Sequence, residues 1–486
     1  MKTNTNLKAL CKDIFLYGLM EGLAKSMSFL LLPVFTRVFS PPEYGIIEIM
    51  VILINIFTAT AALALPMSVA RHFHAYESAE DVRNHVLTAL LTTAAFSALL
   101  MFTCVIWAQQ IAALLTSDPA NGNYVILCAG AGSFTALAGI PLMVLRMERR
   151  IITFNLLSLV YSVLYAGTAL LFVFVFERSL LGVFQALLLA SAAQFALSIP
   201  STLKHMKGSF SWHHFKESIS FSLPLMPTNS LTWLSQQIDR LVLLAYLGSA
   251  AVGIFGAAAK LSVIITVGTM VFRKAWIPFA LKLVNDPGEE RIDFYRVALN
   301  YYASIFAILG LGMTALSPEL LSILVPAAYQ QGFIVVPWII GSGILQGSAA
   351  LTQIGTLLEK RTYANLIASV IGTIINLGVA LALIPIFGLP GAAIGAFISQ
   401  LIFSGILWKL SSIYSNVRFD KGIVFIILIT YIFSAASMLG LAILIEDQVL
   451  SLMLRLGLLL LVSILLGVRS LDRESLSKLL KMRQTP

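Results

Sequence analysis

"SLPLMPTNSLTWLSQQIDRLVLLAYLG", residues 222–248, is apolar enough to cross a bilayer, yet it carries Pro224 and Pro227, the amides Asn229, Gln236 and Gln237, and the adjacent charges Asp239 and Arg240. Whether this is a membrane segment depends on its surroundings. The chain has 486 residues, 58% of them hydrophobic and 11% charged, and its mean hydropathy is +0.90. Soluble domains carry about 25% charged residues. This composition is that of a polytopic membrane protein. A hydrocarbon core needs about 20 apolar residues per helix, and fourteen such runs occur: 13–38, 43–70, 84–106, 123–146, 154–176, 181–203, 218–247, 251–272, 297–316, 333–358, 363–387, 390–408, 423–445 and 449–468. The quoted stretch is the seventh. An all-α polytopic membrane fold is expected.

Basic residues orient the chain, because cytoplasmic loops retain Lys and Arg. With the N-terminus inside, 26 of the 32 basic residues fall on the cytoplasmic side. The outer breaks 107–124 and 317–332 contain none, and Arg178 is the only one in an outer loop. Both termini are expected in the cytoplasm. The net charge of +9 follows from this orientation and is no sign of nucleic-acid binding. The first run contains Glu21 and Lys25 and lacks a cleavage site, so it reads as a retained helix rather than a signal peptide. Cys11, Cys104 and Cys128 have no CxxC spacing. They read as packing residues, with a pairing of Cys104 and Cys128 as the alternative. The six histidines, all cytoplasmic, have no metal-ligand partner set, so neither metal nor cofactor is expected.

A repeat organises the chain. "PPEYGIIEIMVIL" at 41 and "SAAVGIFGAAAKL" at 249 align Gly45 with Gly253 at a separation of 208. "RMERRIITFNLLSLV" and "LLEKRTYANLIASVI" pair Glu148 with Glu359, and "LLGVFQALLL" and "LPGAAIGAFI" pair Gly182 with Gly391. Three matches in the same order indicate two six-helix lobes of like orientation around a central cavity, followed by two extra helices. Secondary transporters use such paired repeats, with the site between them near the midplane. The expected organisation is an N-terminal lobe (1–203), an amphipathic cytoplasmic linker (204–217), a C-terminal lobe (218–412), helices 13 and 14 (413–468) and a basic cytoplasmic tail (469–486). The linker sets Phe210, Trp212 and Phe215 against Lys207 and Lys216, a pattern for a helix lying in the membrane interface.

The plan of twelve plus two helices, with "LP" at 223, "DR" at 239 and "VGIFGAAAKL" at 252, resembles the polysaccharide flippases of the multidrug, oligosaccharidyl-lipid and polysaccharide exporter superfamily. The resemblance covers essentially the whole chain. It implies passage of a polyprenyl-diphosphate-linked oligosaccharide from the inner to the outer leaflet of a bacterial inner membrane, for cell-surface polysaccharide such as the O-antigen of lipopolysaccharide. It also implies the bilayer, a polysaccharide polymerase and chain-length proteins as partners. The motifs are shared with multidrug exporters and with the peptidoglycan lipid II flippase.

The charged residues suit such a cargo. At 1.5 Å per residue, Asp239 and Lys260 each lie roughly 14 Å, and Lys25 roughly 20 Å, from the outer ends of their helices. Arg37 falls at the outer mouth, and Arg71, Arg273 and Lys274 at the inner ends. A charge in the middle of a lipid-facing helix costs about 3 kcal/mol, so these side chains must be paired or wetted. Lys25, Arg37, Arg71, Arg240, Lys260, Arg273 and Lys274 form the candidate cationic track, and Asn229, Gln236 and Gln237 the candidate sugar contacts. Glu21 and Asp239 are the candidate coupling acids. Structural readings stand beside these: an i, i+4 ion pair for Glu21 and Lys25, and interhelical hydrogen bonds for the amides. Arg455 is expected near an outer end, snorkelling or paired with Glu446 or Asp447.

No outer loop is large enough to hold a glycosyltransferase or polymerase site, and no GxxxxGK[ST] phosphate loop is present. The rival function is a cation-coupled multidrug antiporter, for which an acidic or apolar cavity is expected.

Overall fold

The computed structural model describes residues 22, 27–226, 233–282, 289–358, 363–414 and 419–470. Glu21, Lys25, Asn229 and the basic tail from 471 lie outside them. The described residues form helices and contain no strand. The principal helices of the first half are α1 (Leu32–Val38), α2 (Pro41–Ala62), α3 (Leu65–His72), α4 (Ala79–Ile106), α5 (Gly122–Met147), α6 (Ile151–Leu170), α7 (Ser179–Met206) and α8 (Trp212–Ser222). They are followed by α9 (Ile238–Ala259), α10 (Val263–Lys282), α11 (Glu289–Ala315), α12 (Val336–Thr352), α13 (Tyr363–Phe387), α14 (Leu389–Tyr414), α15 (Lys421–Leu444) and α16 (Gln448–Ser470).

Twelve segments among the described residues are long and apolar enough to span a membrane. One of them, Ile238–Arg273, is interrupted at Gly248 (φ 77°, ψ −177°), a backbone conformation open to glycine and strained for other residues. The seventh and eighth expected runs meet there. Counting the two arms separately, and adding the apolar helix Met27–Val38, matches the fourteen runs.

Hydropathy misplaces some boundaries. The second run breaks at Leu63 and Ala64, both at positive φ (47° and 55°), so α3 is a separate short helix ahead of the loop to α4. The seventh run does not start as a spanning helix at 218. Residues 218–222 instead complete α8, whose N-cap is Ser211, and the chain turns at 223–225, where Pro224 removes a backbone donor. A second loosened turn, with Gln236 N–H donating to the Trp233 carbonyl and Gln237 N–H to Leu234, precedes α9.

The chain divides into two compact units, Met1–Gly253 and Ile254–Pro486. Each unit is organised around one helix. In the first unit α5 packs against α2, α4 and α7, with α6 against α7; in the second, α12 packs against α10, α11 and α14, with α13 against α14. The extra helices α15 and α16 pack on α11 and on each other. Repeat-matched glycines meet inside the first unit: a Cβ on Gly45 would lie 1.8 Å from the Ser249 carbonyl oxygen, and one on Gly253 2.1 Å from that of Pro41. Only hydrogen at both positions permits that crossing. Cys104 and Cys128 are free thiols, not a pair.

Candidate functional site

Arg240 occupies the first turn of α9 and reaches toward α2. Its Nη1 donates to Gln237 Oε1 at 2.7 Å, and its Nε lies 3.8 Å from Glu48 Oε2. Glu48 is buried, in the middle of the apolar helix α2. Asp239 is buried, and its Oδ1 has no hydrogen-bond partner among the described residues. Adjacent side chains diverge by about 100° on a helix; here Arg240 reaches across to Glu48, while one oxygen of Asp239 is left without a hydrogen bond.

The remaining candidate residues are dispersed. Arg37 is exposed and folds back on its own helix, donating to the Pro33 carbonyl at 2.7 Å. Arg71 is exposed, with its guanidinium 5.9 Å from the centre of the Phe221 ring of α8. Gln236 is exposed beside half-buried Gln237. In the second unit, half-buried Lys260 sits on the tight turn joining α9 to α10, and Arg273 is exposed on α10. Lys274 is on the same helix, its side chain outside the described part. Within the first unit the structure joins Arg240 to Gln237 and, across helices, to one residue absent from the candidate set, Glu48. Its signal is present in the chain: "GIIEIMVIL" places a lone carboxylate in an apolar run, where an acid is costly without a partner.

The second unit holds a cavity of about 620 Å³. Its walls come from α11, α12, α14 and α15, with Tyr302, Ile344, Phe397 and Tyr431 among the lining residues. The tyrosine hydroxyls are used internally, Tyr302 donating to the Ile344 carbonyl (2.9 Å) and Tyr431 to that of Pro337 (2.6 Å), so both rings present apolar faces. Lys409, near the end of α14, and Lys421, the first residue of α15, line the same cavity and are exposed. No carboxylate of the described residues lies within ion-pair distance of either. The adjacent Asp420 is engaged by Arg296 (2.9 Å) and by the N–H groups of Gly422 and Ile423. The result is an apolar slot with two cations at one end.

An all-helical, multi-pass chain with charges held inside its spans has the architecture of a membrane transporter. Solved structures of that class match it. The lipid II flippase MurJ in an inward closed conformation aligns at a TM-score of 0.73 and 14% identity over 93% of this chain and 98% of that one. The Vibrio cholerae MATE transporter VcmN aligns at 0.63 and 16% over 87% and 100%. An inward-facing multidrug resistance MATE transporter of the MOP superfamily aligns at 0.66 and 14% over 80% and 94%. At these identities the likeness is one of fold. No curated protein sequence matches the chain. The sequence pattern of the polysaccharide biosynthesis protein family matches residues 10–284, and the chain belongs to that family.

Proposed function

We propose that the protein is a flippase that moves a polyprenyl-diphosphate-linked oligosaccharide from the inner to the outer leaflet by alternating access. It would act in the bacterial inner membrane with both termini cytoplasmic, serving cell-surface polysaccharide such as O-antigen, alongside a polymerase and chain-length proteins. The observation that carries this reading is the slot in the second unit. Its apolar walls and paired lysines match a cargo that joins a long apolar chain to an anionic headgroup. Lysine serves a phosphate as a point charge, whereas Arg240 offers a planar fork. In this reading Arg240, Lys260 and the other candidate cations carry the diphosphate, Gln236 and Gln237 meet sugar hydroxyls, and Asp239 takes part in coupling.

Two buried acids of the first unit, Glu48 and Asp239, favour a second reading, a cation-coupled multidrug antiporter. The readings separate in cells carrying Arg240→Gln, Lys260→Gln and the pair Lys409→Gln with Lys421→Gln at normal expression. The flippase reading expects loss of outer-leaflet lipid-linked glycan for each, with Arg240→Lys rescuing only partly. Full glycan delivery in the Arg240→Gln, Lys260→Gln double variant would overturn it in favour of drug export.

A further inference from the structure

The loop side of the first unit holds a cluster of titratable groups that the transport reading leaves unused. Glu217 of α8 accepts a hydrogen bond from the Tyr76 hydroxyl at Oε2. Tyr76 Oη lies 3.1 Å from His85 Nδ1, and His85 Nε2 lies 3.2 Å from Ser68 Oγ. Ser68 Oγ lies 3.4 Å from His72 Nδ1, and His72 Nε2 lies 3.3 Å from Glu217 Oε1. The ring closes on itself. It ties α3 (Ser68, His72), the following loop (Tyr76) and α4 (His85) to α8 (Glu217), and Ser68 and His85 are buried.

Counting protons fixes its state. Tyrosine has one hydroxyl proton, committed to Glu217, so His85 must donate from Nδ1 to the tyrosine oxygen. His85 Nε2 is then an acceptor and takes the Ser68 hydroxyl proton. Every group so far is satisfied with His85 neutral. His72 differs, because its Nδ1 also faces the Ser68 carbonyl oxygen at 3.0 Å and the serine proton is already used. Both of its ring nitrogens face acceptors, an arrangement that only the doubly protonated imidazolium satisfies. A neutral His72 turns one lone pair against an oxygen.

We infer that His72 is a proton-binding site that fastens helix α8 to the first unit through Glu217. Its role does not depend on what the protein transports. The segment it controls is already docked at both ends: Ser209 N–H donates to Asn84 Oδ1 (2.7 Å), Ser211 N–H to Thr88 Oγ1 (3.1 Å) and Ser222 Oγ to the Ala64 carbonyl (3.3 Å). That last carbonyl, at the N-cap of α3, also accepts from Met67 N–H (2.9 Å). Glu217 is the charged link among these contacts. Because α8 lies on the stretch joining the two sequence repeats, proton binding at His72 sets how firmly that connection is held.

The groups facing the pair determine the direction. Arg71 and Phe221 lie beside His72, with the Phe221 ring edge-on to the imidazole at 5.7 Å. His214 is edge-on to Tyr76 and to His85 and has Asp81 at 3.8 Å from its Nε2. Burial opposes charge on Glu217, but the Tyr76 hydrogen bond and the nearby His72, His85 and His213 outweigh it and hold the carboxyl below its usual range. Glu217 therefore stays ionised in mildly acidic conditions, and the latch opens at its alkaline side, where His72 gives up its second ring proton.

The test is hydrogen exchange of residues 212–222 in the full-length protein in lipid nanodiscs between pH 5 and 8, with intrinsic rates corrected. Protection in the wild type should fall with rising pH on the order of tenfold, the size of one charge-assisted hydrogen bond. His72→Gln should abolish the pH dependence, and Glu217→Gln should leave low protection throughout. Wild-type protection independent of pH, or a His72→Gln variant that keeps the wild-type profile, overturns the proposal. Should His72→Gln not fold, exchange of the His72 C2 hydrogen in the wild type reports its titration directly. A step coinciding with loss of α8 protection supports the latch, and a step elsewhere refutes it.

Discussion

Arg455 Nη2 lies 2.5 Å from Glu319 Oε1, and its Nη1 lies 3.1 Å from Oε2. The same guanidinium donates to the Ala315 carbonyl and, from Nε, to the Ser451 carbonyl at 3.2 Å. A residue expected to snorkel or to pair with Glu446 or Asp447 is instead 2% exposed and joins α16 to the end of α11. Helix α16 turns Arg455 toward protein, where a fork-shaped donor set finds a carboxylate and two carbonyls.

Removing one partner of a buried pair leaves the other uncompensated, at about 3–5 kcal/mol. Arg455→Gln should accordingly lower the thermal unfolding midpoint in detergent markedly. Glu319→Gln should cost at least as much, because it strands a guanidinium that is 2% exposed, whereas the carboxylate left by Arg455→Gln is 30% exposed and open to solvation. An Arg455→Leu, Glu319→Leu double variant should recover much of the loss. An unchanged midpoint in Arg455→Gln would show that the pair contributes nothing.

Glu48 makes a parallel case on the other side of the repeat. Arg240→Gln alone takes away the guanidinium 3.8 Å from the buried Glu48 carboxylate, while pairing it with Glu48→Gln removes both charges. The double variant should regain stability that the single variant loses, yet fail in glycan delivery. Recovery of both stability and transport would confine Arg240 to a structural role. Expression, unfolding midpoint and surface glycan measured together separate these outcomes.

The crossing at Gly45 and Gly253 admits no side chain on either glycine. Gly45→Ala forces a methyl group into a backbone carbonyl, and overpacking of a well-filled site costs about 1–3 kcal/mol even where side chains can yield. A loss at or beyond the top of that range is expected in detergent unfolding. Gly440, with open space around it, is the control, and its alanine variant should be neutral.

Glu148 joins the ends of α5 and α7. Its Oε1 accepts from Lys204 (2.5 Å) and His205 (2.8 Å), and Arg150 lies 3.6 Å from Oε2. Burial pushes its carboxyl upward, but the Lys204 and His205 hydrogen bonds and charges more than offset it, so the folded value lies below the ordinary 4.5. A depressed carboxyl contributes stability that is fully present above the unfolded value and disappears as pH falls through the folded one. Glu148→Gln should cost about 1 kcal/mol at pH 7, and the difference from wild type should close below pH 4. A penalty that persists undiminished in acid would assign the effect to packing.

Helicity, repeated passage through a membrane, the position of most spans and the break in the seventh are all legible in the order of amino acids. Each is a local property: hydropathy over about 20 residues, basic residues in short loops, and a proline that withdraws a backbone donor. Gly45 and Gly253, aligned through the likeness of the stretches around them, meet at one crossing. Partners are another matter. Helical spacing gives a residue's depth and face, but not which neighbour that face meets, so Glu48 is missing from the expected site and Arg455 is matched with the wrong acids. Arg455 and Glu319 are 136 residues apart, and Tyr76 and Glu217 141. The slot rimmed by Lys409 and Lys421 needs four helices before it exists, and the proton ring around His72 needs three helices and a loop. Charges in a membrane must find partners, and which ones they find is fixed only when distant helices pack.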